Sequence, residues 1–556
     1  MKKKLILTAL LALQIVISGT AAAEDEKFNI RRFDVQGNTL LPQETVERLV
    51  APYTGEGRVY GDVQKALEAL ESEYHSLGFH TVQVFVPEQE LTAGEVRLNV
   101  IETSIGKVTV AGNAYFSTEN IRASIPELQE GRAPNARKMS ENIQLANDNP
   151  AKQVEVTLSA ADEEGKVDSK VTVTEQNPQR FYVTADNTGS GATGHIRLGF
   201  AYQNANLAGG DEVLTAAYTT SPDAPGGVKV DIYSVAFRKP LYGMGDSLDI
   251  IFGDSNVNTP TAQATGFGLT GKGRVLAVRW NHFFPREGEY SSKLIFGFDW
   301  KQFNTTCKTT PATSAAPPTP SAPFSCIPHT TRPVSASYSG QWQGADYSAD
   351  LNAGLSYNLP TGDKFTVDTS ISGNPLSLPS LNGTTDYYSF IANRKVNDRF
   401  SVLRAGGSYA KAVKDWQLRA AVTGQWVRDG LVPGEQLGLA GSTAVRGFSE
   451  RAVATDSGVV LNLEAYTPDM APLIDLPGNI RGVLFYDRAN GRNNGGTVPF
   501  VQYTNAKLSS WGFGVRYGFG KDVSIRADMA QVIDFGPLVG VGDRSWRGHF
   551  SISVGF

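Results

Sequence analysis

Two cysteines, six histidines and five methionines are all that this 556-residue chain offers of the residues that dominate metal and redox sites. So few cysteines exclude a disulfide-dense scaffold and a four-cysteine zinc site. The histidines, His75, His80, His195, His282, His329 and His549, show no His-Glu-x-x-His or similar ligand spacing, so neither a metal nor a cofactor is expected. Charge is close to balance at -5, without the basic excess that a nucleic-acid partner requires. Long apolar runs are missing too. A membrane-spanning helix needs roughly 20 apolar residues; the run from Leu5 to Ile17 falls short and no later segment is long enough. Two Gly-x-Gly-x-x-Gly matches, Gly189 to Gly194 and Gly266 to Gly271, open no apolar-faced helix and read as loops, not phosphate cradles. No Gly-x-Ser-x-Gly elbow supplies a nucleophile, which weighs against a membrane phospholipase, the enzymatic alternative.

What is abundant points elsewhere. The chain carries 57 Gly, 27 Phe, 20 Tyr and 7 Trp, a composition suited to bending strands and to aromatic girdles at membrane interfaces. Its last eight residues alternate, placing Phe550, Ile552, Val554 and Phe556 on one face and His549, Ser551, Ser553 and Gly555 on the other. A strand ending flush on Phe556 suits the closing strand of an outer-membrane barrel. At the other end, Lys2, Lys3 and Lys4 precede the apolar run and Ala21-Ala22-Ala23 follows it, the pattern of a secretory signal peptide cut after Ala23. An exported chain without membrane helices that still spans a bilayer must close its strands into a barrel, because every backbone polar group in hydrocarbon needs a partner.

Between these ends lies a tandem repeat. Val35-Gln36-Gly37-Asn38-Thr39 recurs as Val110-Ala111-Gly112-Asn113-Ala114. Each copy reads strand, Gly-Asn turn, two helices, two strands. In the first, Phe28 to Gln36 reads as one strand, Pro42 to Tyr53 as a helix, and Val63, Ala66, Leu67, Leu70, Tyr74 and Leu77 recur at helical spacing until Gly78. From Arg180 onward sixteen alternating segments fit between turn-rich gaps, with Arg419, Arg516, Arg526 and Asp528 among the residues on the polar, lumen-facing side. The Thr-, Pro- and Ser-rich stretch Asn304 to Arg332 reads as an external loop. It holds Cys307 and Cys326 in an oxidising setting, where a disulfide stapling the loop is expected and zinc is disfavoured, since only His329 is near.

The expected organisation is therefore a signal peptide (1–23), two small α+β domains (24–103 and 104–179) and a mainly β, 16-stranded transmembrane barrel (180–556). The strand–helix–helix–strand–strand repeats resemble POTRA domains. Val445-Arg446-Gly447-Phe448, in the sixth external connection, is similar to the V-R-G-[YF] signature of the outer-membrane translocase superfamily. Phe485-Tyr486-Asp487-Arg488-Ala489 matches that family's thirteenth-strand motif F-x-D-x-G at Phe485 and Asp487, with Ala489 in place of Gly. Alternation turns Phe485 and Asp487 into the lumen, where Arg446 could meet Asp487. Two POTRA-like domains resemble the two-partner secretion transporters, with a barrel insertase as the alternative.

The resemblance implies a non-enzymatic protein in the outer membrane of a Gram-negative bacterium, with its POTRA domains in the periplasm. It also implies export, without ATP, of a large exoprotein of the adhesin, haemagglutinin or haemolysin class, held unfolded by the POTRA domains. Membrane lipid, and the barrel-assembly machinery during biogenesis, are the other partners it implies. Relatives often carry a plug helix ahead of the first POTRA domain; here that helix is absent or its task falls to the sixth loop.

Overall fold

The computed structural model describes residues 27–90, 94–257, 272–303, 329–360, 364–366, 384–386, 396, 398–494, 503–538 and 546–556. The expected signal peptide and Cys307 and Cys326 lie outside the described residues, as does the second glycine-rich match.

In the first repeat, the segment read as one strand divides at Arg31 into Phe28–Ile30 and Arg32–Gln36. The first piece pairs with Gly55–Arg58, a strand whose two glycines hide it from propensity, and the second runs parallel to Glu95–Glu102. Val82–Phe85 completes a three-stranded sheet in the order Arg32–Gln36, Glu95–Glu102, Val82–Phe85. The helices Gln43–Val50 and Tyr60–Ser76 cover it, burying Val46, Val63, Ala66, Leu70 and Tyr74 against Val84, Leu98 and Val100. The second repeat has the same plan: strands Ser104–Ala111, Lys166–Glu175 and Lys152–Ala160 in that order, with helices Thr118–Ser124 and Ala136–Asn147.

The repeated Gly-Asn pair has a physical reason in both copies. Gly37 and Gly112 have φ of +84° and +90°, and a Cβ at either would lie 2.3 Å from a carbonyl oxygen, that of Val100 or Val173. Only glycine fits. The following Asn closes the turn on its own backbone: the Asn38 amide donates to the Leu41 carbonyl (2.8 Å) and the Asn113 amide to that of Phe116 (2.9 Å). A third shared element, which sequence reading missed, is a carboxylate at the end of the central strand. Glu102 accepts from the Thr39 and Leu40 amides, and Glu175 from those of Ala114 and Tyr115.

Sixteen antiparallel strands among the described residues close the barrel, the eighth interrupted at Arg332. No described helix is long and apolar enough to cross a membrane, and the crossing is made by strands. Their alternation is visible in exposure. On the eleventh strand, Trp416–Val427, the residues Trp416, Leu418, Val422 and Trp426 all stand exposed on the outer face, as the lipid-facing row of a transmembrane barrel must. The terminal strand, Trp546–Gly555, pairs with the first, Gln179–Asp186, from Ser551 opposite Asp186 to Gly555 opposite Tyr182. Phe556 extends this seam by exchanging two backbone hydrogen bonds with Phe181 (2.9 and 3.0 Å). Closure thus reaches the last residue of the chain.

Candidate functional site

The connection between the eleventh strand and the twelfth, Ser457–Tyr466, is the sixth on its side of the barrel. It turns inward. Leu437–Gly438 pairs with Ala454–Thr455, and the Leu439 amide bonds to Val453 while that of Val445 bonds to Leu439, which folds the segment into a narrow double-backed arm. Leu439, Ala440, Val445, Phe448 and Val453 bury themselves against Val460, Ala489, Leu508 and Val532, from the inner faces of strands twelve to fifteen. Burial of this apolar set gives the loop a reason to lie inside the wall. Ala489, where the family pattern has Gly, contributes its methyl group to this cluster and is fully buried.

Arg446 stands at the tip with 1 % of its surface exposed. Its guanidinium grips Asp487 of the thirteenth strand, Asn479–Arg492, with two parallel bonds, Nε to Oδ2 (2.7 Å) and Nη2 to Oδ1 (2.8 Å). Its backbone N–H donates to the same carboxylate at 3.1 Å. Such fork-to-fork pairing fixes orientation as well as distance. Nη1 reaches Glu464 at 2.9 Å, and Asp528 lies 3.5 Å away. The guanidinium carbon sits 3.5 Å from the centroid of the Phe485 ring, a cation over an aromatic face. Phe485 owes its place to Gly512: a Cβ there would come within 2.5 Å of the ring.

Around this contact, four guanidiniums (Arg446, Arg419, Arg516, Arg526) meet three carboxylates (Asp487, Glu464, Asp528). Glu464 also accepts from Arg419 (3.0 Å) and the Tyr466 hydroxyl (2.8 Å); Asp528 also accepts from Arg516 (2.7 Å) and Arg526 (2.8 Å). Gly447, at φ +95°, places its N–H 2.9 Å from Nε2 of His549 on the terminal strand. The imidazole must accept there, so it is neutral with its proton on Nδ1. Phe448 lies edge-on to Phe535, centroids 6.4 Å apart.

The structure thus brings Val445, Arg446, Gly447, Phe448, Phe485 and Asp487 into one site, while Phe556 sits at the seam outside it. Glu464 and His549 were missed as partners, although period two turns both inward, Glu464 with Asn462 and His549 with Ser551. Glu435, earlier in the loop, was missed as well and has no periodic signal. A separate polar contact ties the second repeat to the barrel turns. Lys152 Nζ, wholly buried, donates to Asp211 (2.5 Å) and Asn120 (3.1 Å), and Asp211 also accepts from the Tyr242 hydroxyl. Burial draws the Lys152 ammonium below the usual lysine range, against the pull of Asp211.

Residues 28–103 match the ShlB-type POTRA domain, and residues 336–515 match the haemolysin secretion/activation protein ShlB/FhaC/HecB family. Among curated proteins the chain is similar to the outer membrane transporter CdiB of Escherichia coli, 25% identical over 179 residues, covering 32% of this chain and 30% of the relative. It is also similar to the heme/hemopexin transporter protein HuxB of Haemophilus influenzae, 20% identical over 191 residues, or 34% of each chain. These alignments span about a third of the length of the curated relatives. The fold resembles solved CdiB structures over nearly the whole chain. For that from Escherichia coli the TM-score is 0.71 at 19% identity, covering 98% of this chain and 93% of the other. For that from Acinetobacter baumannii it is 0.67 at 14% identity, covering 96% and 91%.

Proposed function

This chain belongs to the TpsB family of two-partner secretion in the outer membrane, and from that premise we propose that it exports a large partner exoprotein of the adhesin, haemagglutinin or haemolysin class. The observation that carries this reading is the clasp of Arg446 on Asp487, which holds a folded arm against the inner wall of a closed barrel. An ion pair in the lumen would also suit a diffusion pore, but a diffusion pore lacks the tandem repeats that precede this barrel. A path that must stay shut until an extended polypeptide arrives has a use for both.

The two repeats act as periplasmic POTRA domains at 24–103 and 104–179. They receive the unfolded client on a sheet edge, Val82–Phe85 in the first or Lys152–Ala160 in the second, by main-chain pairing. The arm then yields and the client crosses through the lumen. No nucleotide drives this step in the periplasm; folding of the client outside withdraws it from the equilibrium and gives direction. Co-expression with a candidate exoprotein tests the reading: an Arg446→Ala barrel that inserts normally should lose most export, and export at the full rate would contradict it.

A further inference from the structure

Arg446 holds only one half of the barrel. Its partners Glu464, Asp487 and Asp528 lie on strands twelve, thirteen and fifteen. The other end of the arm reaches the opposite half. Glu435 ends a short helical turn, Pro433–Glu435, near the start of the loop, and its side chain is 2 % exposed. Its carboxylate accepts from Lys301 Nζ on the seventh strand (3.0 Å) and from the Thr331 hydroxyl on the eighth (3.0 Å). Arg404 of the tenth strand pairs with it at 3.4 Å. The carbonyl of Glu435 accepts from Gln425 of the eleventh strand at 3.0 Å, and Gln425 in turn receives Arg404 Nε at 2.8 Å.

A carboxylate so enclosed is costly unless every lone pair is answered, and here strands on one side of the loop answer it. Burial pushes its pKa up, yet the Lys301 and Arg404 charges hold it below the usual glutamate range. Among the described residues, the contacts of Arg446 involve none of these. The two clusters therefore grip one loop independently.

We propose that Glu435 is a second tether of the sixth loop, fastening its first arm to strands seven to eleven as Arg446 fastens its tip to strands twelve to fifteen, so that the lumen opens fully only when both let go. Glu435 is a positioning residue: it touches the wall, not the client. Breaking the Arg446 clasp alone frees the tip while the arm still crosses the lumen. Breaking Glu435 alone leaves the tip seated.

Conductance of the purified full-length protein in planar lipid bilayers reads this directly and needs no client. Parent, Glu435→Ala, Arg446→Ala and the double variant are compared, each first shown to migrate as a heat-modifiable folded barrel. The gain of the double variant should exceed the summed gains of the single variants by roughly twofold or more, the mark of two ties in parallel. Should Glu435→Ala fail to fold, Lys301→Met with Arg404→Met removes the same tether from the wall side and should behave alike. Gains that merely add, or a double variant no more conductive than Arg446→Ala, would overturn the proposal. Glu435's role presupposes that the loop is the lock of the transport path. If the double variant conducts cooperatively while export of the co-expressed exoprotein stays at the parental rate, the tether stands and the transport reading falls.

Discussion

The Arg446 clasp and the Lys152 clamp are both buried ion pairs, but they differ in what is left behind when one partner goes. Asp211 depends on Lys152 and the Tyr242 hydroxyl, with its second oxygen unanswered by any hydrogen bond. Asp487 keeps the Asn462 amide at 2.8 Å even when the loop leaves, and also the backbone N–H of position 446 when only the Arg446 side chain is lost. Glu464 and Asp528 keep Arg419, Tyr466, Arg516 and Arg526. Buried charge is expensive mainly when it is orphaned. A cluster with spare cations can release one at moderate cost, whereas a lone pair cannot. The loop contact is built to be vacated, and the contact between the second repeat and the barrel turns is built to persist.

Lys152→Met should be the most damaging change, at about 3–5 kcal/mol for a buried charge left unpaired, read as early thermal loss of near-ultraviolet circular dichroism. Asp211 has φ +66°, a conformation that Asn tolerates well, so Lys152→Met with Asp211→Asn should recover most of that loss. Failure to recover would show that the clamp contributes shape, not charge balance. Arg446→Met comes next, at about 2–3 kcal/mol, because Asp487 retains two donors. If it proved as costly as Lys152→Met, the distinction between the two sites would collapse. Arg526→Gln should cost about 1 kcal/mol or less by the same melting assay, since its head is partly exposed and Asp528 keeps Arg516 and Arg446.

Acid should act on the tether at Glu435. Its pKa in the folded protein is depressed below the unfolded value of 4.5, so its stabilisation is complete above that value and disappears as pH falls through the folded one. Conductance should therefore rise only on acidification below about pH 4.5, and this rise should be missing from Glu435→Gln.

Much of this site was legible because strands have period two: placing Tyr486 outward forces Phe485 and Asp487 inward, whatever the rest of the fold does. Repetition revealed Gly37 and Gly112 before their clash with a carbonyl oxygen could be measured. Glu102 and Glu175 close the same turns but lie some sixty residues away in sequence, so only the folded sheet joins them to their donors. Glu435 and Asp211 sit in loops, where no periodicity assigns a face. Gly55–Arg58 was unreadable as a strand because its pairing, not its propensity, makes it one. Residues fixed by alternation could be placed from sequence, and residues fixed by tertiary meeting could not.

The distinction between a contact that yields and one that persists is tested most directly by amide hydrogen exchange in lipid. The N–H groups of Arg446 and Gly447, bonded to Asp487 and His549, should exchange through local opening far faster than the paired amides of strand thirteen or those of Ala151 and Val154 beside Lys152. Exchange of all of them at one common slow rate would mean that the loop leaves the wall only when the whole fold comes apart, and would contradict a lock made to open.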